Sequence, residues 1–426
     1  MSLPAYDGAR LAQVSLFSLA ATYLVAQAWS NHVSRRVSWN IREPLSFVLL
    51  FLAFLSWWVA GYSSRSLQDL TLHLGMVALA LAIASLESSH THRWLDRALA
   101  LSPVWLAVLT LAIYLTALST GQPLNARQLH LGFENPRFLN HAQSIFVPWL
   151  AIVFLEREPR KSLQRLALLA AGFHVALAYL DVSRGTGLAW LGVLVVLFLA
   201  GARIQARRFA TVLLGGVLFG MLAFDLLPNL LSRHWEAPFA RANEIGSAHS
   251  RDLLWAQSLA MIEAAPWLGQ GPMAFAALVS ARGAHPHNVY LQWAAEYGPL
   301  AACIATILLL TPIVRALKSR ASDALTIGLA ATCVACLIDG CVSGNFVMPM
   351  SQIWIACVYG QLLARVTPSS MQLERAFAGR MIYAVLLASQ VWLLAMTAYQ
   401  CALPDRSDDA PSSTSRKPRF WLDGQV

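Results

Sequence analysis

The stretch Ala284-His285-Pro286-His287-Asn288-Val289-Tyr290-Leu291-Gln292, running on to Glu296, Tyr297 and Gly298, gathers two imidazoles, an amide, a phenol and a carboxylate. An apolar run, Pro299–Pro312, follows at once. The cluster therefore sits where a loop enters a membrane helix, and polar groups held at such a boundary serve binding or chemistry. His287 is read as the working residue, and the rest of the chain as the scaffold that presents it.

Composition sets the scaffold. Of 426 residues, 57% are hydrophobic and 12% charged, and the mean hydropathy is +0.54. A soluble domain carries roughly 25% charged residues. Half that share, with apolar runs recurring along the whole chain, makes this an all-α polytopic membrane protein. The net charge of +9 would suggest nucleic acid in a soluble protein; here it reflects Arg and Lys placed in loops, and no nucleic-acid partner is expected. The first apolar run begins near Leu11, is full length and lacks a small-residue cleavage site, so no cleavable signal peptide is expected. Five of the six cysteines lie inside apolar runs. Cys333 and Cys336 form a CxxC without a second ligand pair and read as apolar filler.

Length and hydropathy give about twelve transmembrane helices. They run Leu11–Ser30, Pro44–Tyr62, Leu67–Leu86, Leu101–Thr120, Asn140–Glu156, Leu163–Asp181, Thr186–Ala202, Phe209–Leu227, Gly298–Val314, Asp323–Val342, Pro349–Val366 and Met381–Tyr399. The chain thus divides into N-terminal membrane helices (1–227), one large helical loop (228–297), C-terminal membrane helices (298–400) and a polar tail (401–426). Arg157, Arg160, Lys161 and Arg165 crowd one loop; Arg203, Arg207 and Arg208 a second; Arg315, Lys318 and Arg320 a third; Arg365, Arg375 and Arg380 a fourth. These loops alternate, so all can face the cytoplasm. The large loop, Ser183-Arg184-Gly185 and Ser343–Met348 then face the other side, and the same count puts both termini outside.

The large loop is too long for a mere connector. It carries a helix signature: Ser250 as N-cap, Asp252 in the first turn, and Leu254, Trp255, Leu259 and Ile262 at helical spacing. Pro266 and Gly269–Gly271 end it. Arg251 falls in the first turn, where the helix dipole mildly opposes a cation. An anionic ligand at the same N-terminus accounts for it.

An imidazole has an ordinary pKa of about 6.5, so neutral His287 can act as general base toward a hydroxyl. The plainer reading, a helix-capping histidine, is weakened by the company of Asn288, Tyr290 and the arginines. His285 could pair with His287 on a metal, but no third ligand stands at metal spacing. Arg184 lies in a short Gly-flanked turn between two apolar runs, where its guanidinium can face the diphosphate of a lipid carrier. The alternative, an arginine snorkelling to water, is weakened because this side of the membrane normally lacks positive charge. Arg137, in Glu134-Asn135-Pro136-Arg137-Phe138, follows the same argument less strongly. His73 and His174 read as hydrogen-bonded core residues. Asp225, Asp339 and Glu296 lie near span ends, and Glu296 either orients a partner or sits on a helix surface.

His287-Asn288, nine residues, then Gly298 resembles the HN-x9-G signature of the O-antigen ligase and polymerase superfamily. Arg251, Trp255, Met261-Ile262 and Pro266-Trp267-Leu268-Gly269-Gln270-Gly271 resemble its large-loop segment. Ser183-Arg184-Gly185 and Asn135-Pro136-Arg137-Phe138 resemble its arginine motifs. Ala301 departs from the second Gly frequent in ligases, and Pro299 follows Gly298 directly. The resemblance implies cytoplasmic termini, in contrast to the charge count. It implies a bacterial inner-membrane glycosyltransferase with its active site in the periplasm. The donor would be a polysaccharide on undecaprenyl diphosphate, the acceptor a hydroxyl of lipid A–core. His287 would activate that hydroxyl, and Arg184 and Arg251 would hold the diphosphate, with inversion and no metal or other cofactor. Arg137, Asn288 and Tyr290 complete the expected substrate-binding set. A polymerase or an O-linked protein oligosaccharyltransferase would use the same motifs. A lipid-linked glycan transporter would instead place ionisable groups around a midplane cavity.

Overall fold

The structure, a computed structural model, describes residues 5–29, 44–60, 63–86, 89–122, 129–130, 132–133, 135–231, 248–277, 283–319, 322–367 and 377–402. The expected polar tail from residue 403 on, parts of the large loop (232–247 and 278–282), and Glu134, Arg320 and Arg375 lie outside the described residues.

Among the described residues every regular element is a helix. In chain order these are α1 (Ala5–Trp29), α2 (Pro44–Val59), α3 (Ser63–Ala84) and α4 (Ser89–Thr120). Next come α5 (Pro136–Arg157), α6 (Lys161–Leu180), α7 (Arg184–Leu199) and α8 (Arg203–Leu230). The large loop holds α9 (Ala248–Ala264), the single turn α10 (Ala274–Ala277) and α11 (Val289–Tyr297). Last are α12 (Pro299–Lys318), α13 (Ala324–Gly340), α14 (Pro349–Val366) and α15 (Phe377–Ala402). Each expected apolar run falls largely on a helix over its described residues. Among the described residues eight helices, α1, α3, α4, α5, α6, α8, α12 and α15, against the twelve expected, are long and apolar enough to cross a membrane, and α2, α7 and α13 are apolar but shorter. The chain is thus a multi-pass membrane protein whose regular elements are all helices among the described residues. One expected boundary moves: α9 already begins at Ala248, so Ser250 lies inside the helix rather than capping it. Ala248 is a strong helix former and Ser is tolerated within a turn, so the helix starts early.

The helices group into two units that cut across the sequential division. Unit 1 comprises residues 1–86, 249–312 and 346–426; unit 2 comprises 87–248 and 313–345.

In unit 1, α3 packs against α1, α14 and α15. In hydrocarbon no hydrophobic drive pushes helices together, so close approach over small residues supplies the contact. Gly360 of α14 is such a point: a Cβ there would lie 2.5 Å from the Ala80 carbonyl oxygen and 2.9 Å from Ile83 Cβ. Unit 1 also encloses Arg10, which is fully buried. It donates to Gln13, Gln352, the Tyr6 hydroxyl and the Val347 carbonyl at 2.6–3.0 Å. Such bonding is what lets a guanidinium remain in a membrane interior.

In unit 2, α5 touches α6, α7 and α13 and is buried along nearly its whole length. A π-helical turn, Trp149–Phe154, follows Pro148, which has no N–H to give the ladder. His174 is buried, its ring nitrogens 2.8 Å from the Pro103 carbonyl oxygen and 3.2 Å from Gln143 Nε2. It is a hydrogen-bonded core residue, as expected. One end of the unit carries ion pairs: Arg97–Glu158 at 2.7 Å, Arg157–Asp96 at 3.0 Å and Arg208–Glu156 at 3.1 Å. The α6–α7 turn with Arg184 lies at the other end of α6, about 30 Å along a 20-residue helix.

Gly360→Ala should therefore destabilise the protein by about 1–3 kcal/mol through overpacking. Gly215→Ala, where nothing stands within 4 Å, should leave the thermal midpoint in detergent unchanged or slightly raised.

Candidate active site

The HN-x9-G spacing is a helix with its two ends. Asn288 is the N-cap of α11, its Oδ1 accepting from the Tyr290 and Leu291 N–H groups at 3.1 Å each. Nine helical residues follow, and Gly298 ends them at φ 89°. Pro299, fixed near the helical φ, then opens α12 directly.

The last carbonyls of a helix lack intrahelical partners. Here the Gly269–Gly271 turn supplies them: Gln270 N–H donates to the Ala295 carbonyl and Gly271 N–H to that of Glu296, both at 2.9 Å. Ser56 of α2 donates to the same Glu296 carbonyl at 2.8 Å. A Cβ on Gly269 would run into the Glu296 backbone, and one on Gly298 into the Trp267 carbonyl. The two glycine motifs are thus halves of one clamp. The Glu296 carboxylate is wholly buried and accepts from Phe275 N–H at 3.2 Å and from Gln292 at 3.3 Å. Tyr297 donates to Asp69 of α3 at 2.9 Å.

His287 rides on the front of this clamp. It is half-buried, with φ 55°. Its N–H donates to His285 Nδ1 at 3.3 Å, and the two rings lie 4.2 Å apart, edge to face. Trp255 Nε1 donates to the Pro286 carbonyl at 3.0 Å, tying α9 to this segment. Arg251 is four residues before Trp255 and so shares its face of α9. Tyr290, on the first turn of α11, meets the Trp293 ring edge-on at 6.3 Å. Unit 1 therefore carries His287, Asn288, Tyr290 and Arg251 on one clamped assembly.

Unit 2 carries the other two arginines. Arg137 is the second residue of α5, behind the N-cap Asn135 and Pro136. Arg184 is the first residue of α7. Both side chains are exposed, and neither guanidinium has a hydrogen-bond or ion-pair partner among the described residues. All three candidate arginines thus stand in the first turn of a helix, where free backbone N–H groups also favour an anion. Arg184 borders an open apolar cleft of about 390 Å³, lined chiefly by Val175, Tyr179, Trp190, Leu191, Leu213 and Val217 of α6, α7 and α8.

Val182, Met273 and His287 are the non-glycine residues with positive φ among those described. Such backbone is strained, and for β-branched Val182 markedly so. Val182 precedes Arg184, Met273 follows the Gly271 clamp and His287 is the candidate base. Sequence reasoning passed over this strain and over the buried Asp181 and Asn140 behind Arg184. A signal for the latter was present: Asn140-His141-Ala142-Gln143-Ser144 is a polar run inside an apolar span. Among the described residues no group of three or more His, Cys, Asp or Glu is arranged to hold a metal ion.

This is the framework of a multi-pass membrane protein that presents a histidine and three arginines, each in the first turn of a helix. Residues 166–306 match the family model described as O-antigen ligase, a segment that includes Arg184, Arg251, His287 and Gly298. The chain is also 28% identical over 346 residues to an O-antigen ligase of Pseudomonas aeruginosa, covering 74% of this chain and 78% of that one. The resemblance carried by the motifs thus extends over most of the chain.

Asn288→Ala should remove the α11 cap at about 1 kcal/mol, whereas Asn288→Asp keeps a capping oxygen. The thermal midpoint in detergent should fall for the Ala variant and stay near the parent's for the Asp variant; an equal fall in both would contradict the capping role.

Proposed function

We propose that this protein is a membrane glycosyltransferase of the ligase type. It moves a polysaccharide from undecaprenyl diphosphate to a hydroxyl of lipid A–core, on the periplasmic side of the bacterial inner membrane. The observation that carries the reading is the apolar cleft of about 390 Å³ with the exposed Arg184 among its lining residues. A prenyl chain suits the apolar walls, and a diphosphate suits a guanidinium held at a helix N-terminus.

The chemistry is the one the motif resemblance implies for His287 and Arg251 of unit 1 and Arg184 of unit 2. Neutral His287 takes the proton of the acceptor hydroxyl as its oxygen attacks the anomeric carbon. The bond from that carbon to the diphosphate oxygen breaks, and its electron pair leaves with the diphosphate. Arg184 and Arg251 stabilise the charge growing there. Attack from the face opposite the leaving group inverts the anomeric centre. Arg137, Asn288 and Tyr290 assist in binding. The name of the Pseudomonas relative supports the ligase over the polymerase and protein-glycosylating readings.

The test uses purified protein, undecaprenyl-diphosphate-linked glycan and lipid A–core in the presence of EDTA. Wild type should transfer glycan to lipid A–core, and His287→Ala should fall by about a hundredfold or more, as expected for loss of a general base. Growth of the lipid-linked glycan itself would make the protein a polymerase. Equal rates in the two proteins would remove His287 from the chemistry.

A further inference from the structure

Behind Arg184, unit 2 buries a polar network that the proposed chemistry does not use. Asp181 closes α6, and its side chain is 1% exposed. Its Oδ2 accepts from Asn140 Nδ2 at 2.8 Å and lies 2.9 Å from His130 Nε2, whose side chain is fully buried. Asn140, on α5, also bonds beyond the turn: its carbonyl accepts from the Thr186 hydroxyl at 3.1 Å. Thr186 in turn pairs with the Ser183 hydroxyl at 2.8 Å. One residue of the central helix thus holds the chain on both sides of Arg184.

The segment between these anchors is under tension. Ser183 N–H bonds the Ala178 carbonyl and Val182 N–H that of Tyr179, both at 3.0 Å. This is the helix-terminating pattern that normally places glycine in the left-handed position. Val182 occupies it instead, at φ 52°. A left-handed L-residue is strained, and a β-branched one is a rarer outlier still. Glycine would close this turn without that strain. A strained turn that persists is one its surroundings over-determine, and here the surroundings are Asp181, Asn140 and Thr186.

We infer that Asp181, Asn140 and His130 are positioning residues for Arg184: they lock the α6–α7 turn so that its guanidinium meets the donor diphosphate in one fixed direction. This rests on the proposed role of Arg184. An exposed arginine otherwise spreads over many rotamers, and bidentate pairing with a phosphate rewards a fixed base.

The experiment is a double-mutant cycle on the donor KM, with purified full-length protein and saturating acceptor. Asp181→Ala should raise the donor KM on the order of tenfold or more, as a small misplacement of a binding group does. In an Arg184→Ala background the same change should add less than about twofold, because the group it positions is gone. Equal factors in both backgrounds, or no change from Asp181→Ala in the parent, would overturn the inference while leaving Arg184 in place. A donor KM unaffected by Arg184→Ala would overturn the diphosphate assignment and this inference with it. Should Asp181→Ala fail to fold, the cycle is run with Asp181→Asn. That variant keeps the volume and an acceptor for Asn140 but loses the carboxylate facing His130. A rise of about threefold or more, again confined to the Arg184-containing parent, is then expected, and none would overturn the inference.

Discussion

A polar group enclosed in a membrane protein must find a partner, because neither lipid nor protein interior replaces the water it lost. Most of this architecture follows from that demand. The backbone meets it by being helical throughout the described residues. Arg10 meets it with two glutamines, a phenol and a carbonyl. Glu296 meets it by bonding the Phe275 amide and the Gln292 side chain, which seats the large loop on α11. Arg137 and Arg184 are exposed and so escape that demand, and among the described residues neither guanidinium has a hydrogen-bond or ion-pair partner. The proposed diphosphate donor is a ligand that would bring a negative charge to Arg184.

The same demand explains why the motifs have their spacing. Nine residues separate Asn288 from Gly298 because a nine-residue helix lies between its cap and its terminating glycine. The Gly269–Gly271 turn packs against that helix because its N–H groups complete the helix's C-terminal carbonyls, and a side chain on Gly269 or Gly298 would block the approach. Local strain gathers where these pieces meet, at Met273 and His287, and again beside Arg184 at Val182. Strain of this kind is retained where the surrounding packing fixes a geometry that function needs.

Much of this was legible in the sequence. Helix positions were, because runs of about twenty apolar residues have one stable conformation in a bilayer. So was the His287 segment, because its polar residues stand out from apolar surroundings. The start of α9 was misplaced, since Ser250 suits a cap yet is tolerated inside a helix. The roles of Glu296 and Asn140 were not legible. Each depends on residues distant in the chain, Phe275 and Ser56 in one case, Asp181 and Thr186 in the other. The grouping of α1–α3 with α14 and α15 was hidden for the same reason: hydropathy marks a helix but not its neighbours.

The central claim is that the donor diphosphate is the missing partner of Arg184. An experimental structure of the protein in a lipid nanodisc with undecaprenyl diphosphate tests it most directly. The account predicts phosphate oxygens within hydrogen-bond reach of the Arg184 guanidinium and the first prenyl units lying in the cleft of α6, α7 and α8. A diphosphate bound elsewhere, with the Arg184 side chain facing water and the cleft occupied by ordinary lipid, would contradict it.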